Sequence, residues 1–299
     1  MKFKIYFILS MMIFGTIGVF VRYIDLASSE IALLRGFIGS LFLLAITIVN
    51  KQNISWTNVK KNIPVLLLSS FALGFNWIFL FQAYKYTTIA NASLSYYFAP
   101  VFVIVISPIV LKEKISLKKA VYISIAVFGM FLIVQNSGNG NAEYNHLLGI
   151  CYGATAAIFY ATLMLTNKFI KNMNGLETTL LQLSLATIML IPYVFVTEGV
   201  NLFPVTGFSV VCIIILGVIH TGLGFYLFFY GMKGLKGQSI AVLSYIDPAT
   251  SLFASFIVFG ENMTVLQIIG AVLLLGSTFI NEINKNYDHS IKENKHCIE

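Results

Sequence analysis

Residues 74–113 read GFNWIFLFQAYKYTTIANASLSYYFAPVFVIVISPIVLKE, and residues 222–261 read GLGFYLFFYGMKGLKGQSIAVLSYIDPATSLFASFIVFGE. Laid over one another without a gap, the two stretches share Gly74/Gly222, Phe81/Phe229, Lys85/Lys233, Tyr97/Tyr245, Pro100/Pro248, Ser107/Ser255, Ile109/Ile257, Val110/Val258 and Glu113/Glu261. Composition alone would supply roughly three such identities in a stretch of this length, so the chain contains an internal duplication. Upstream, Phe14/Phe159 and Glu30/Glu177 pair at nearby offsets.

Each copy is made of apolar runs. The 299 residues are 58% hydrophobic and only 10% charged, with a mean hydropathy of +0.85. A soluble globule of this length lacks the interior to hide so much apolar surface. That excludes a soluble enzyme, a disordered chain and a nucleic-acid-binding domain. A helix needs about 20 mostly apolar residues to cross a hydrocarbon core about 30 Å thick. Ten stretches qualify, at about 4–21, 30–49, 63–83, 88–111, 117–135, 147–166, 177–196, 208–231, 239–259 and 264–281. They do not alternate in polarity as barrel strands do. The fold class read here is therefore all-α integral membrane, with ten transmembrane helices.

The placement of Lys and Arg orients the chain. Of the 19, all but Arg22, Arg35 and Lys85 fall in the termini and the loops that lie on one side if ten spans are counted. The N- and C-termini are accordingly predicted cytoplasmic, and the net charge of +7 is an orientation signal rather than a mark of an acidic partner. Lys2 and Lys4 precede an apolar run, but no small-x-small cleavage site follows, so a retained first span is expected rather than a signal peptide. The three cysteines, Cys151, Cys212 and Cys297, form neither a disulfide framework nor a metal-binding spacing.

The duplication divides the chain into residues 1–135 (spans 1–5), an external linker at 136–146, residues 147–281 (spans 6–10) and a solvated, mobile cytoplasmic tail at 282–299. Because five is odd, the second copy enters the membrane upside down. Inverted repeats relate inward-open and outward-open states around a site near the midplane, a device of transporters.

The stretch Ala83–Ala92 followed by Tyr97-Phe98-Ala99-Pro100-Val101, and Leu111-Lys112-Glu113-Lys114-Ile115-Ser116 before span 5, resemble the EamA-type repeat of the drug/metabolite transporter superfamily. The second copy repeats the pattern as Leu243-Ser244-Tyr245-Ile246-Asp247-Pro248 and Gly260-Glu261-Asn262-Met263-Thr264. The resemblance covers all ten spans. It implies two inverted five-helix EamA repeats around a central cavity, alternating access by rocking of helix groups, and amino acids, related metabolites, nucleotide sugars or drugs as cargo. Small multidrug members of the superfamily rely on a glutamate in the first span. Span 1 has no acid here, which argues against that mechanism.

Ionisable groups inside a membrane are costly and mark pathways or pairs. Asp247 lies about 12 Å along its helix from Ser239, near the bilayer centre. Pro248 follows it and cannot donate a backbone N–H, which favours a local break. Asp247 is a candidate for coupling or substrate contact, the alternative being an acid that fixes helix packing. His220 is a candidate proton shuttle or a core histidine bonded to a backbone carbonyl, and it could neighbour Asp247. Arg35 must pair, snorkel or face water. It is either an anchor for a carboxylate or phosphate, or a side chain that reaches the interface or Glu30; Gln182 stands at the approximately equivalent second-half position.

A polar and aromatic set completes the candidate substrate site: Asn76, Trp77 and Gln82 on span 3, Tyr96 and Tyr97 on span 4, Tyr160 on span 6, Tyr226 and Tyr230 on span 8 and Tyr245 on span 9. Pockets for small organic molecules combine apolar walls with a few placed polar groups, although membrane tyrosines also sit at interfaces. Glycines such as Gly129 and Gly270 permit close helix approach, with hinges at Gly18 and Gly222 as an alternative. Glu113 and Glu261 each open a Glu-x-x-Ser/Thr pattern that places Ser116 or Thr264 as the N-cap of the next helix.

No HExxH, GxSxG or Walker loop occurs, so no catalytic residue, metal, cofactor or use of ATP is expected. The reading is a multi-pass cell-membrane protein, of the bacterial plasma membrane, that exports a small metabolite such as an amino acid by alternating access. It has a small-molecule solute and membrane lipid as partners and a homodimer as a possible assembly. Alternatives are a multidrug or other solute exporter or importer, and a non-transporting membrane sensor.

Overall fold

The computed structural model describes residues 2–52, 54–112, 116–135, 144–197, 205–232, 234–235 and 237–296. Residues 136–143 of the joint, Glu113, Lys233 and Lys236 lie outside the described residues. Among the described residues nine helices are long and apolar enough to cross a membrane: Lys2–Arg22, Ser28–Val49, Trp56–Tyr86, Ile89–Leu111, Leu117–Gln135, His146–Asn167, Gly175–Thr197, Gly207–Met232 and Val242–Phe259. A tenth, shorter apolar helix is Val265–Asn281. These are spans 1–10.

Their outer faces explain the composition. Ile109, Leu117 and Val196 are among many large apolar side chains left exposed around the perimeter. In water such a surface would drive association, whereas in lipid it is the natural solvent-facing side.

The duplication is visible in the packing. Span 3 packs on span 6, and span 8 on span 1; span 4 packs on span 6, and span 9 on span 1; span 3 packs on span 7, and span 8 on span 2. Spans 2 and 7, 4 and 9, and 5 and 10 pair with their own counterparts. Exchanging the two copies leaves this pattern unchanged, as two five-helix repeats related by a pseudo-two-fold require. The main core lies among spans 1–3 and 6–8, around Phe81, Leu183 and Leu216. A small second core, Leu94, Ile133, Ala271 and Leu274, joins spans 4, 5 and 10.

The contact between spans 5 and 10 depends on two glycines. A Cβ on Gly129 would lie 2.6 Å from the Gly270 carbonyl oxygen, and one on Gly270 would lie 2.5 Å from that of Gly129. Backbones can approach this closely only where both side chains are absent.

Four spans are not continuous α-helix. Span 1 breaks at Thr16, between Lys2–Gly15 and Ile17–Arg22. Span 4 breaks between Ile89–Tyr96 and Ala99–Leu111. Its partner, span 9, breaks at Tyr245 between Gly237–Ser244 and Ile246–Phe259. Pro100 and Pro248 lie just inside the two second segments, where a missing N–H costs nothing in the new first turn. Span 8 holds an eight-residue π-helix, Leu216–Leu223, between two α-helical segments. The residue pattern does not announce this π-helix.

Most of the expected tail is helical. The last helix runs Val265–His296, well past its apolar part. No Gly or Pro follows Gly276, so no residue interrupts the helical ladder after the apolar residues end.

Candidate functional site

Two opposite charges lie against the discontinuous spans. Arg35 comes from span 2. It is 2% exposed, and its Nε donates to Thr221 Oγ1 at 2.7 Å. Its guanidinium lies 4.4 Å from the centre of the Trp77 ring and 5.5 Å from that of Phe81. These cation–π contacts help to hold a charge away from water. Arg35 neither reaches the interface nor joins Glu30. The Glu30 carboxylate instead accepts from the Ala27 backbone N–H at 2.9 Å and completes the N-terminus of span 2.

Asp247 lies in the first turn of the second segment of span 9, at the positive end of that helix. The Tyr97 side chain lies beside its carboxylate. Tyr84, Tyr96 and Tyr160 are within its electrostatic reach. Tyr96 packs on Tyr160 with ring centres 5.2 Å apart and on Tyr97 at 5.7 Å. Asn76 donates to the Ala156 carbonyl at 2.7 Å and lies beside the Tyr96 side chain. Span 1 packs closely here: a Cβ on Gly15 would sit 2.6 Å from the Asp247 carbonyl oxygen.

His220 is held on the other side of the break in span 1. It is 2% exposed; its Nε2 is 3.0 Å from Thr16 Oγ1 and its Nδ1 is 3.3 Å from the Ile215 carbonyl. The latter contact spans five residues, as does the bond from Thr221 Oγ1 to the Leu216 carbonyl at 2.9 Å. The π-helix therefore sets the position of both side chains, and such single-turn insertions recur at functional sites. The described bonds of His220 run to spans 1 and 8, none to Asp247.

The structure thus gathers Arg35, Asn76, Trp77, Tyr96, Tyr97, Tyr160 and Asp247, with His220 beside them. It places three other candidates elsewhere. Gln82 accepts from Ser28 Oγ at 2.7 Å, at the start of span 2. Tyr226 stacks on Tyr230, which packs on Phe3 and Tyr6 near the start of span 1. Tyr245 donates to Thr278 Oγ1 at 3.0 Å and packs edge-on against Phe279. It opens onto an apolar groove of about 400 Å³ between spans 9 and 10, lined also by Leu252, Met263 and Ile268. The related tyrosines Tyr97 and Tyr245 therefore face different surroundings.

Two participants are absent from the sequence-based set. Tyr84 lies seven residues after Trp77, two helical turns along the same face, and that spacing could have found it. Thr221 had no such signal, because the π-helix rotates it toward Arg35.

A second polar cluster closes one end of the bundle. Arg22 and Glu261 form an ion pair, the one described among these residues. Arg22 also donates to the Thr87 carbonyl at 2.6 Å and the Tyr84 carbonyl at 3.2 Å. Glu261 accepts from the Ile89 backbone N–H at 2.9 Å and from Ser255 Oγ. The pair therefore ties the end of span 1 to the span 3–4 connection and the end of span 9. The caps read from the same motif are present as well: Ser116 Oγ accepts from the Lys119 N–H at 3.3 Å, and Thr264 Oγ1 from the Gln267 N–H at 3.2 Å.

Ten apolar helices in two related copies, with broken spans beside a buried arginine and a part-buried aspartate, define a multi-pass membrane protein of transporter architecture. The chain matches the EamA-like transporter family over residues 1–135 and again over 147–282, and it belongs to that family. It is 30% identical over 281 residues to "Uncharacterized transporter YxxF" of Bacillus subtilis (strain 168), covering 93% of this chain and 88% of that protein. It is 28% identical to an "Uncharacterized transporter" of Archaeoglobus fulgidus, covering 91% and 93%. A "Probable amino-acid metabolite efflux pump" of Salmonella typhimurium (strain LT2) is 24% identical, over 74% of this chain and 78% of that one. A solved crystal structure shares the fold with a TM-score of 0.61 at 16% identity, covering 92% of this chain and 96% of that one.

Proposed function

We propose that this EamA-family protein is a secondary active transporter of the cell membrane that exports a small metabolite, an amino acid or a related compound, by alternating access. One observation carries the reading: Arg35 bonds the π-helix of span 8 and Asp247 opens the second segment of span 9, two charges held against discontinuous spans without an ion pair between them among the described residues. Transporters place their sites at such breaks. A purely structural pair of charges gains most by direct contact. The efflux pump among the relatives supports the direction and the cargo class. The concentration of Lys in alternate loops supports cytoplasmic termini.

Coupling is assigned to Asp247 and His220. A carboxylate that holds either a cargo group or a proton links the two fluxes, and an imidazole beside the pathway can pass protons at neutral pH. Flux through reconstituted vesicles under an imposed pH gradient tests the assignment. Asp247→Asn is expected to abolish the response to the gradient and His220→Ala to weaken it. Parental uptake by both variants would remove coupling from these residues, and absence of any solute flux in the parent protein would remove the transporter reading.

A further inference from the structure

The ion pair between Arg22 and Glu261 joins one copy to the other at a single end of the bundle. Arg22 closes span 1, so this end is the one remote from the N-terminus. The two partners hold opposite sides of the span 3–4 connection. Arg22 donates to the Tyr84 and Thr87 carbonyls at the end of span 3, and Glu261 accepts from the Ile89 N–H at the start of span 4. Thr87 is fully buried, and its hydroxyl lies 2.8 Å from His146 Nδ1 at the start of span 6. The rings of Phe259 and Tyr144 cover the Arg22 guanidinium at 4.9 and 5.3 Å. About 6 Å deeper along span 4, the same three spans meet again. Ser93 Oγ of span 4 is 2.6 Å from Ser251 Oγ of span 9, and a Cβ on Gly15 of span 1 would lie 3.0 Å from the Ser251 nitrogen. Both serines are buried.

We propose that Arg22, Glu261 and the span 3–4 connection form a latch: engaged, it closes the face remote from the termini, and released, it admits water from that face to the Ser93–Ser251 contact. The latch deepens the alternating-access reading and rests on it. Its chemistry suits a contact that must part and re-form. Separating an apolar seam exposes hydrocarbon that water does not stabilise. Separating a guanidinium, a carboxylate and backbone groups lets water take the place of each lost partner, and the desolvation cost of the closed pair is returned. Glu261 is the point where the contact can be undone. It is the second copy's contribution, and besides Arg22 and the Ile89 N–H it takes the Ser255 hydroxyl of its own span. Loss of its charge leaves Arg22 held only by carbonyls of the first copy, so span 9 is freed from span 1 and the span 3–4 connection at this face.

Accessibility of a buried thiol tests the latch without any cargo. In the full chain carrying Cys151→Ser, Cys212→Ala and Cys297→Ser, two reporters are introduced singly. Ser251→Cys lies beneath the latch, and Thr47→Cys lies at the opposite end of span 2; both positions are buried. Membrane vesicles are labelled from each face with the impermeant thiol reagent 2-(trimethylammonium)ethyl methanethiosulfonate. Glu261→Gln removes the charge and keeps an acceptor for the Ile89 N–H. It is expected to speed labelling of Ser251→Cys about tenfold from the face remote from the termini, because the rate follows the population of the open state. Thr47→Cys is expected to keep its parental rate. If Glu261→Gln does not fold, Arg22→Lys replaces it; the lysine keeps the charge without the second and third donor positions, and a rise of about threefold is expected. An equal rise at both reporters would mark general loosening and overturn the latch, as would an unchanged Ser251→Cys rate in a folded variant. Neither result touches the transporter reading, which falls instead if the parent protein carries no solute.

Discussion

The two copies share a framework and differ in chemistry. Every major helix pairing in one has its counterpart in the other, and both break their fourth span just before a proline. At the functional positions the likeness ends. Arg35 in the first copy corresponds to Gln182 in the second, which donates to Ser69 Oγ at 2.7 Å and Asn167 Oδ1 at 2.6 Å and so serves packing. Asp247 in the second copy corresponds to Ala99, a buried residue without a polar side chain. Span 3 is α-helical throughout, whereas span 8 carries the π-helix. The two copies thus share a helix framework and carry unlike polar side chains on it.

The largest effect is expected at the contact joining the copies at their closed end. Arg22→Glu sets two acids against each other in a site where the paired side chains are 10% and 8% exposed. Breaking such a pair costs about 3–5 kcal/mol. Thermal unfolding in detergent should show the loss, and the double exchange Arg22→Glu with Glu261→Arg should recover much of it. No recovery would mean that the backbone contacts of Arg22, and not the pair, hold this end.

Next come the symmetric glycines. Gly129→Leu and Gly270→Leu each drive a side chain into the partner's backbone, at a cost of about 1–3 kcal/mol or more. The two variants should lose similar stability, because each faces the other across the same crossing. A large difference between their melting curves would break the equivalence of spans 5 and 10.

Gln182→Ala sharpens the functional difference. It leaves the buried Ser69 hydroxyl and the exposed Asn167 amide each with one donor fewer, a loss of roughly 1–3 kcal/mol that falls mainly at Ser69. Flux per folded molecule is expected to stay near the parental value, whereas Arg35→Gln should remove most flux. Equal losses of flux would show that both positions serve transport. The smallest effects belong to the caps: Ser116→Ala and Thr264→Ala should each cost roughly 1 kcal/mol, with no change in cargo preference.

Much of this architecture was legible in the residues. Apolar length located the spans to within a few positions in most cases, although span 3 begins at Trp56 rather than near 63. Its first turns, through Lys60 and Lys61, are too polar to be counted by hydropathy and are helical nonetheless. Pro248 pointed to the break beside Asp247. The tyrosines were harder. Tyr97 and Tyr245 are equivalent by alignment, yet one lies beside Asp247 and the other donates to the buried Thr278 at the groove between spans 9 and 10. Glu261 stood in a capping pattern and Arg22 only in the loop-charge count, and nothing along the chain indicated that they meet.

Composition, charge placement and the repeat were enough to establish a duplicated, ten-helix membrane protein, because hydrophobic length and loop charge are local properties that the bilayer reads directly. Which faces turn inward was decided only by the tertiary structure. Lipid and protein core are about equally apolar, so a span shows little contrast between its two sides. The meeting of Arg35 with Trp77 and Thr221, and of Asp247 with Tyr97, depends on where helices break and cross, and on a π-helix that rotates two side chains out of the ordinary register.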